Sequence, residues 1–375
     1  MSIIGIPMTS DCSACGKVNK KAYRLNYTSF QHLDFSPLGV PETWLDTLSV
    51  CDNCGVFYRL LDVAQHKMLA AIYQSVDYAE HQEDHMVLEG ETLRRASDAQ
   101  ADALLTAWPD GASSQAILDI GCFDGKLLKA LSQQTTASRL VGYDIAPRPN
   151  FPAVPGFEFH SGDRKNLSGL FNIILLSQCL IYISDLVNFF TELDGLLANN
   201  GRIFVHVPNS SLRPASLLLA DQVFHFTPES IERLFSTHGY RVDFLKSHPF
   251  TRDILMFAYR DDSLSLQRSE MPAPEVDIFE HLKHLASLIL AVPGEDIAIF
   301  GTTIEAAFAH SLIADRVCCF VDENPRKQAD SFNGLPVMPP QALSPKATCI
   351  IPMGQDAAPL ASRLSTTFSA NFLLV

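Results

Sequence analysis

The segment Ile117-Leu-Asp-Ile-Gly-Cys-Phe-Asp-Gly-Lys126 decides the fold of this chain. It begins with a short apolar run typical of a buried strand, passes through two glycines, and ends where a helical pattern begins. In open α/β sheets, ligands bind at the carboxyl ends of the strands, where turns of this kind lie. The segment therefore predicts a ligand-binding loop between the first parallel strand and its helix.

Apolar runs alternate with helical patterns downstream of this loop. The alternation indicates βαβ units and a buried parallel sheet, with strands at 116–121, 140–145, 156–160, 171–177 and 202–207 and helices at 126–133 and 185–198. A further helix is predicted over 86–108, before the sheet begins.

The sheet should end in two antiparallel strands. Thr227 and Pro228 form a typical helix start, and the helix should end at Gly239. The next two strand patterns, 241–245 and 254–259, are joined by a connection too short for a parallel crossover. Five parallel strands followed by this antiparallel excursion are typical of the class I methyltransferase Rossmann-like fold.

The residue types of the loop indicate which cofactor it binds. A dinucleotide site needs G-x-G-x-x-G, but Phe123 occupies the position of the middle glycine and Asp124 would repel a pyrophosphate. S-adenosylmethionine carries no phosphate, and its sulfonium and ammonium groups are cationic. We therefore expect S-adenosylmethionine to be bound by a set of loop residues: Asp119, Gly121, Cys122, Asp124 and Gly125.

Polar residues at the ends of the next strands extend this predicted site. Asp144 ends the second strand and is placed to accept both ribose hydroxyls, and Asp163 is placed to meet the adenine amino group. Ser177 and Gln178 end the fourth strand and should line the methionine side of the pocket. Each carboxylate taken singly is also readily interpreted as a loop carboxylate or a helix cap.

Length, composition and charge limit the class of protein. A chain of 375 residues with 47% hydrophobic residues predicts a globular protein of two or three domains. A net charge of −14 argues against a nucleic-acid or anionic-membrane surface. Because no signal peptide or long apolar span is visible, we expect a cytoplasmic location. An anionic small-molecule substrate is compatible with the net charge if local arginines receive it.

Four of the nine cysteines form two Cys-x-x-Cys pairs near the start of the chain, namely Cys12, Cys15, Cys51 and Cys54. Each pair is followed by glycine, which suits a tight turn that presents two thiolates to one ion. Four sulfurs match a closed structural zinc site, with redox pairs or inert buried thiols as the alternatives. We expect Zn²⁺ here as a structural and not a catalytic ion.

These features predict three domains: a zinc-binding module at 1–74, a methyltransferase domain at 75–262, and a small C-terminal α/β domain at 275–375. The polar stretch 261–276 is the predicted linker. The C-terminal pattern consists of helices at 278–291 and 304–313 and strands at 296–301, 316–322, 348–353 and 371–375, with a turn-rich 324–340. Asp322 follows Gly301 by 21 residues, as in a nucleotide site, but further glycines are missing. A degenerate Rossmann-like domain that helps to bind substrate or mediates dimer contacts is expected.

Three passages carry a family resemblance: the cysteine pairs; Leu118-Asp-Ile-Gly-Cys-Phe-Asp-Gly-Lys-Leu-Leu128; and Val321-Asp-Glu-Asn-Pro-Arg-Lys-Gln328 with Gly334-Leu-Pro-Val-Met-Pro-Pro-Gln-Ala-Leu343. With them the chain resembles the three-part C-methyltransferases of nucleotide-linked deoxysugars. The resemblance implies that a proton is removed next to a sugar ketone and that the carbon then attacks the sulfonium methyl group.

The chain departs from that family where the catalytic base is expected. The family's Glu-His pair is replaced by Asp221-Gln222, which removes an imidazole. His225 is an alternative general base, although it is equally well interpreted as a histidine packed between two phenylalanines. Tyr78 is a candidate pocket residue, and His206 is interpreted as a core histidine.

Two functions follow from these patterns. The first is methyl transfer to a small molecule, with a sugar nucleotide or a related natural-product intermediate as the candidate acceptor and a monomer or homodimer as the expected state. The second is a non-catalytic cofactor- or ligand-binding scaffold that has lost its base. An NAD-linked oxidoreductase is disfavoured, because the C-terminal loop lacks G-x-G-x-x-G.

Overall fold

The computed structural model describes residues 2–26, 46–74, 86–89, 92–108, 115–148, 151, 156–219, 221–261, 263, 278–325, 327–329, 331–354 and 357–375. Tyr78 and nearly all of the predicted linker 261–276 lie outside the described residues. Within the described part of the chain, no helix has the length and apolar character needed to cross a membrane.

An antiparallel sheet of five strands holds the cysteine pairs. Its strands, in spatial order, are β1 (Ser2–Asp11), β2 (Val18–Asn26), β3 (Asp46–Val50), β4 (Phe57–Arg59) and, from much later in the sequence, β12 (Phe224–His225). Helix α1 (Val63–Gln74) follows β4. Because β12 pairs with β4, the N-terminal module is completed by a strand from the predicted methyltransferase domain.

The helix predicted over 86–108 is wrong in its first half. The chain forms a hairpin of β5 (Met86–Glu89) and β6 (Thr92–Arg95), and helix α2 (Ala96–Ala107) begins only afterwards. Glycine at position 90 and threonine at 92 are poor helix formers, and the first favours a turn.

The second sheet has seven strands and the order β13-β14-β11-β10-β7-β8-β9. The five strands β7 to β11 pair in parallel, whereas β14 is antiparallel to both β11 and β13. This mixed sheet is the class I methyltransferase fold. Its strands are β7 (Ala116–Ile120), β8 (Arg139–Asp144), β9 (Phe157–Ser161), β10 (Phe171–Ser177), β11 (Leu197–Pro208), β13 (Tyr240–Phe244) and β14 (Asp253–Arg260).

Three helices of this sheet begin and end close to their predicted positions. They are α3 (Lys126–Gln134), α4 (Leu186–Leu196) and α5 (Pro228–Thr237). Thr227 is the N-cap of α5: its hydroxyl accepts from the Ser230 N–H at 3.1 Å, and the Ser230 hydroxyl accepts from the Thr227 N–H at 2.9 Å. The local sequence therefore determines this helix start.

The C-terminal unit contains a third sheet of six strands, in the order β17-β18-β16-β15-β19-β20. Its elements are α6 (Ile278–Ala291), β15 (Ile297–Phe300), α7 (Ile304–Ile313), β16 (Val317–Val321), β17 (Ser331–Phe332), β18 (Leu335–Met338), β19 (Thr348–Ile351), α8 (Ala358–Thr367) and β20 (Asn371–Leu374). The predicted turn-rich stretch holds β17 and β18, joined by Asn333 and Gly334 with φ of 48° and 78°. Helix α8 was not predicted from the sequence. Leu364 is its only buried residue, so the helix shows no apolar stripe.

The described chain divides into two compact units. The first contains the N-terminal and methyltransferase sheets, and the second contains the C-terminal sheet together with 210–219 from the middle of the chain. A 3₁₀ helix in this excursion, Pro214–Leu218, is buried at all five positions. The prediction of three domains did not include this exchange of a segment.

Candidate active site

The loop after β7 is shaped around a glycine that admits no side chain. Gly121 has φ of +76°, and a Cβ on it would lie 2.6 Å from the Cβ of Cys179. The backbone N–H groups of Gly121 and Cys122 both donate to the Tyr143 carbonyl, at 2.8 and 3.0 Å. The loop is therefore held tightly between the ends of β7, β8 and β10.

Two further residues of the loop adopt left-handed backbone conformations. Phe123 has φ of 52°, and Gly125, the N-cap of α3, has φ of 73°. The Phe123 N–H donates to Asp144 Oδ2 at 3.0 Å. A bulky residue in this conformation costs free energy, and such positions concentrate at functional sites.

Asp119 is a buried carboxyl group, and one of its oxygens has no hydrogen-bond partner among the described residues. Its side chain is 2% exposed, and the oxygen without a partner is Oδ1. Burial, together with the charge of Asp144, raises the pKa of Asp119 to about 8. A cationic group placed beside Asp119 would stabilise its ionised form.

Asp144 is engaged with protein groups on both oxygens. Oδ1 forms a buried ion pair with Arg148 at 2.6 Å, and Oδ2 accepts from the Phe123 N–H. The Arg148 guanidinium lies 4.8 Å from the centre of the Phe123 ring. The predicted bidentate contact with a ribose therefore has to compete with Arg148, which the sequence analysis did not identify.

The other predicted loop residues have local partners. Asp124 forms an ion pair with Lys126 at 2.6 Å, and Cys122 is buried, which raises the pKa of its thiol. Asp163 is exposed and accepts from the Lys165 N–H at 3.0 Å as a helix N-cap, so the cap interpretation describes its structural role.

The end of β10 carries Ser177 and Gln178 to the same edge of the sheet. Gln178 has φ of 55°, and its N–H donates to the His206 carbonyl at 2.8 Å. Gln100 of α2 donates through Nε2 to Ser177 Oγ at 2.7 Å. Because Gln100 precedes the first parallel strand and belongs to no motif, no signal in the sequence points to this residue.

Asp221 has a tyrosine partner. The Tyr73 hydroxyl donates to Asp221 Oδ2 at 2.9 Å, across 148 positions of sequence. The Tyr73 ring lies 5.2 Å from that of Tyr182, and the Val223 N–H donates to the Ile181 carbonyl at 2.8 Å. The pair therefore lies next to the segment that follows β10.

His225 lies inside the N-terminal sheet. It is 1% exposed, and neither ring nitrogen has a partner among the described residues. Burial, with a smaller contribution from the charge of Arg59, lowers the pKa of His225 well below its ordinary value. Gln222 is also buried, and its carbonyl accepts from Arg59 Nε at 3.3 Å. These surroundings match the packed histidine of the sequence analysis.

The four cysteines of the N-terminal module come together as predicted. Their sulfur atoms lie within 4.8 Å of one another, and all four residues are buried. Sγ of Cys12 lies 4.0 Å from Sγ of Cys54, and Sγ of Cys15 lies 3.5 Å from Sγ of Cys51. A tetrahedral zinc with Zn–S bonds of about 2.3 Å would separate its sulfurs by about 3.8 Å. The donor set and its dimensions therefore fit a zinc ion.

The first cysteine turn contacts the methyltransferase sheet's helices. The Ser13 carbonyl accepts from the Leu186 N–H at the start of α4, at 2.9 Å, and the Ala14 carbonyl accepts from His238 Nε2 at 2.8 Å. The same segment thus satisfies one of the otherwise unpaired N–H groups at the start of α4.

Comparisons with known proteins agree with this fold. Residues 92–244 match the methyltransferase domain family. Trans-aconitate 2-methyltransferase of Escherichia coli (strain K12 / DH10B) is 25% identical over 131 residues, which cover 33% of this chain and 52% of that protein. The chain thus spans about half the length of the curated relatives it matches.

Solved structures with similarity to the chain include two methyltransferases. One is the plantazolicin methyltransferase BpumL in complex with SAH, at 17% identity and a TM-score of 0.38, over 44% of this chain and 84% of that chain. Another is magnesium protoporphyrin IX methyltransferase (ChlM) from Synechocystis PCC 6803 with bound SAM, at 15% identity and a TM-score of 0.38, over 54% and 99%. Residues 92–244 thus match a methyltransferase domain, and they supply most strands of a mixed sheet that has the class I methyltransferase topology.

Proposed function

We propose that this chain transfers the methyl group of S-adenosylmethionine to a small molecule, and that the acceptor is a carbon next to the ketone of a nucleotide-linked deoxysugar or a related natural-product intermediate. The buried Asp119 beside the constricted Gly121 loop carries the cofactor assignment. The four-cysteine cluster, the methyltransferase sheet and the C-terminal α/β sheet support the acceptor class through the family resemblance.

The loop residues fit the cofactor by charge and by shape. Oδ1 of Asp119, which has no partner among the described residues, would accept a hydrogen bond from the ammonium of the methionine end. Gly121 lets the loop pack directly against Cys179, which fixes the course of the loop at the ends of the strands. Asp144 is assigned to the ribose, Asp163 to the adenine, and Ser177 to the methionine end. When bound, S-adenosylmethionine supplies an electrophilic methyl group on a sulfonium.

The pair of Asp221 and Tyr73 is assigned to proton transfer. Asp221 is buried, and the Tyr73 hydroxyl fixes one of its oxygens at 2.9 Å. A carboxylate oriented in this way can accept a proton from a carbon next to a ketone. The resulting carbanion would attack the methyl group in line, the bond between sulfur and methyl would break, and the thioether S-adenosylhomocysteine would leave with the electron pair. The resembled family has histidine at the position of Gln222, so this assignment places the base one position earlier, at Asp221.

Methylation by single-residue variants tests the assignment. Incubation with S-adenosylmethionine and a nucleotide-linked keto-deoxysugar should add one methyl mass to the sugar. Asp221→Asn should lower kcat by about 10²-fold to 10⁴-fold and leave the Kd for S-adenosylhomocysteine unchanged. Tyr73→Phe should lower kcat less, while Tyr259→Phe, at a partly exposed tyrosine of β14, serves as the control. Undiminished methylation by Asp221→Asn contradicts the assignment.

A non-catalytic scaffold is the second candidate. The buried, unpartnered imidazole of His225 and the amide of Gln222 favour it, because neither supplies an accessible base. Under this function the chain binds the cofactor but adds no methyl group to any sugar nucleotide or pathway intermediate. A gain of one methyl mass on any such compound excludes it.

We also propose that the four cysteines hold a structural zinc ion, and that Zn²⁺ is a second cofactor beside S-adenosylmethionine. With four thiolates no coordination position remains open for substrate, so the ion stabilises the fold and takes no part in the reaction. Reduced thiolates suit a reducing compartment, which supports a cytoplasmic location. A monomer or homodimer that binds a sugar nucleotide, and no nucleic acid or membrane, completes the proposal.

A further inference from the structure

A chain of four buried or partly buried polar side chains crosses the edge of the methyltransferase sheet. Asp253 Oδ2 lies 2.9 Å from His206 Nε2, and His206 Nδ1 lies 2.6 Å from Gln100 Nε2. The same Gln100 nitrogen lies 2.7 Å from Ser177 Oγ. His206 and Gln100 are both buried, so the contact between them is shielded from water. The methyl-transfer mechanism proposed above does not use Gln100, His206 or Asp253.

With His206 in its neutral form, each hydrogen bond in this row of side chains has one direction. A carboxylate only accepts, so His206 carries its proton on Nε2 and donates to Asp253. The other ring nitrogen of a neutral imidazole is an acceptor, so Gln100 donates one N–H to His206 Nδ1. The second N–H of the same amide then points to Ser177 Oγ, which accepts. The Ser177 hydroxyl is left with its own proton to donate.

This row of hydrogen-bonded side chains ends at Ser177, near the start of the loop after β7. Ser177 pairs with His206 across β10 and β11, and Leu175, two residues earlier, pairs with Asp119 of β7. Alternate residues of a strand share a face, and Ile117, Leu175 and Phe204 lie in one apolar cluster with residues of α2 and α3. Asp119, Ser177 and His206 each follow one of these three by two positions and so share that face.

We propose that Asp253, His206 and Gln100 are positioning residues that fix Ser177 as a hydrogen-bond donor to the α-carboxylate of the cofactor's methionine end. This inference rests on the proposed binding of S-adenosylmethionine at the β7 loop. Of the charged groups at that end, the ammonium only donates, whereas the carboxylate accepts. Asp119 is suited to the ammonium and the Ser177 hydroxyl to the carboxylate, so the two residues divide the zwitterion between them.

Calorimetric titration with two ligands tests the proposal. The first ligand is S-adenosylhomocysteine, and the second is its analogue without the α-carboxylate. A hydrogen bond to a charged group corresponds to an affinity difference of roughly 10-fold to 100-fold. We expect Ser177→Ala to lose that factor for S-adenosylhomocysteine and to bind the decarboxylated analogue like the unmodified protein. Ser132→Ala, at a partly exposed serine of α3, should bind both ligands normally.

The positioning residues are tested by the same difference. His206→Leu should reproduce the selective loss, whereas His206→Asn, which can present an amide oxygen near the Nδ1 position, should retain most of the selectivity. If these residues had only a structural role, the variants would lose affinity for both ligands by the same factor. That result overturns the proposal. Gln100→Leu gives the same test if His206→Leu does not fold, as judged from its melting temperature.

The outcome separates this proposal from the proposed function. If the unmodified protein binds neither ligand, the assignment of S-adenosylmethionine itself is wrong. If it binds both ligands with equal affinity, the cofactor assignment stands and the role given to Ser177 is overturned.

Discussion

At the scale of single residues, the cofactor loop depends on two carboxyl groups with different surroundings. Asp144 is paired with Arg148, whereas Asp119 is buried on the neighbouring strand with one oxygen unpartnered among the described residues. Burial and the charge of Asp144 raise the pKa of Asp119 to about 8. A positively charged group placed beside Asp119 would therefore stabilise its ionised form.

Binding of S-adenosylhomocysteine should release a proton near pH 7, because a cationic ammonium beside Asp119 lowers the pKa of its carboxyl group. Calorimetry in buffers of different ionisation enthalpy measures the release. Asp119→Asn should bind more weakly and show no dependence of the binding enthalpy on the buffer. The same buffer dependence in the variant would contradict the role of Asp119.

The same carboxyl group should make stability depend on pH. The pKa of Asp119 is about 8 in the folded chain and near 3.8 in the unfolded chain, so between these values the folded state holds a proton that the unfolded state has lost. The free energy of unfolding then falls as pH rises from about 4 to about 8. Asp119→Asn should flatten this fall and be the more stable protein at pH 8, as measured by urea unfolding. An unchanged pH profile would contradict the raised pKa.

Gly121 can be separated from glycines that only need a left-handed backbone. Alanine at Gly121 meets Cys179 at 2.6 Å, whereas alanine at Gly162, with φ of +93°, meets nothing within 4 Å. In both variants the unfavourable backbone conformation should lower the free energy of unfolding by about 1 kcal/mol. Only Gly121→Ala should also lose cofactor binding, measured by calorimetry with S-adenosylhomocysteine. Equal binding of S-adenosylhomocysteine by the two variants would show that the close contact of Gly121 with Cys179 does not matter for cofactor binding.

At the scale of elements, the turn that carries two of the proposed zinc ligands, Cys12 and Cys15, contacts the helices of the methyltransferase sheet. Ser13 and Ala14 lie between Cys12 and Cys15, and their carbonyls accept from the start of α4 and from His238 after α5. Helix α4 follows β10 and the segment that carries Tyr182. Loss of the proposed zinc ion should therefore loosen helix α4, which lies next to the proposed proton-transfer pair.

Removing one zinc ligand should test this connection. We expect Cys51→Ser to lose the bound zinc, measured as metal content per chain, and to melt more than about 5 °C lower, because metal binding contributes to folding. Hydrogen exchange of the Leu186 amide should accelerate as its bond to Ser13 weakens. Cys318→Ser, at an exposed cysteine of β16, is the matched control. Full zinc content in Cys51→Ser would contradict the four-cysteine site.

At the scale of the whole molecule, the chain leaves one unit and returns to it. Residues 210–219 interrupt the methyltransferase part of the sequence but belong to the C-terminal unit. Within that unit the buried 3₁₀ helix Pro214–Leu218 contacts α6 and α7. The two units therefore cannot be separated by a single cut in the sequence.

A chain truncated after residue 261 should expose apolar surface and aggregate. Removing the C-terminal sheet uncovers the apolar side chains of Pro214–Leu218, so the truncated chain should bind an apolar dye such as ANS and aggregate. Replacing 211–219 with a glycine-serine linker in the truncated chain should reverse both effects. A truncated chain that stays soluble and binds no dye would contradict the placement of this segment.

Much of the fold could be predicted because its signals are local. The strand-loop-helix at Ile117 to Lys126, the cap at Thr227 and the antiparallel pair β13 and β14 each depend on residues within a short stretch. Where local signals compete or are weak, the prediction failed, as in the helix over 86–108 and the missed helix α8. The cysteine cluster also could be predicted, because its two turns carry the same spacing.

The sequence by itself determined the sheet and the strand-loop-helix at Ile117 to Lys126, since these follow from hydrophobic pattern and turn chemistry. The role of this loop in binding a cationic cofactor stays a prediction. Only the tertiary structure decided the partners of the polar groups. The contacts of Tyr73 with Asp221 and of Gln100 with His206 span 148 and 106 positions, and no local pattern encodes them. The same holds for His225, whose burial by β4 turns a candidate base into a packed side chain. Long-range packing sets burial and hydrogen bonding, and through them the chemistry available to each group.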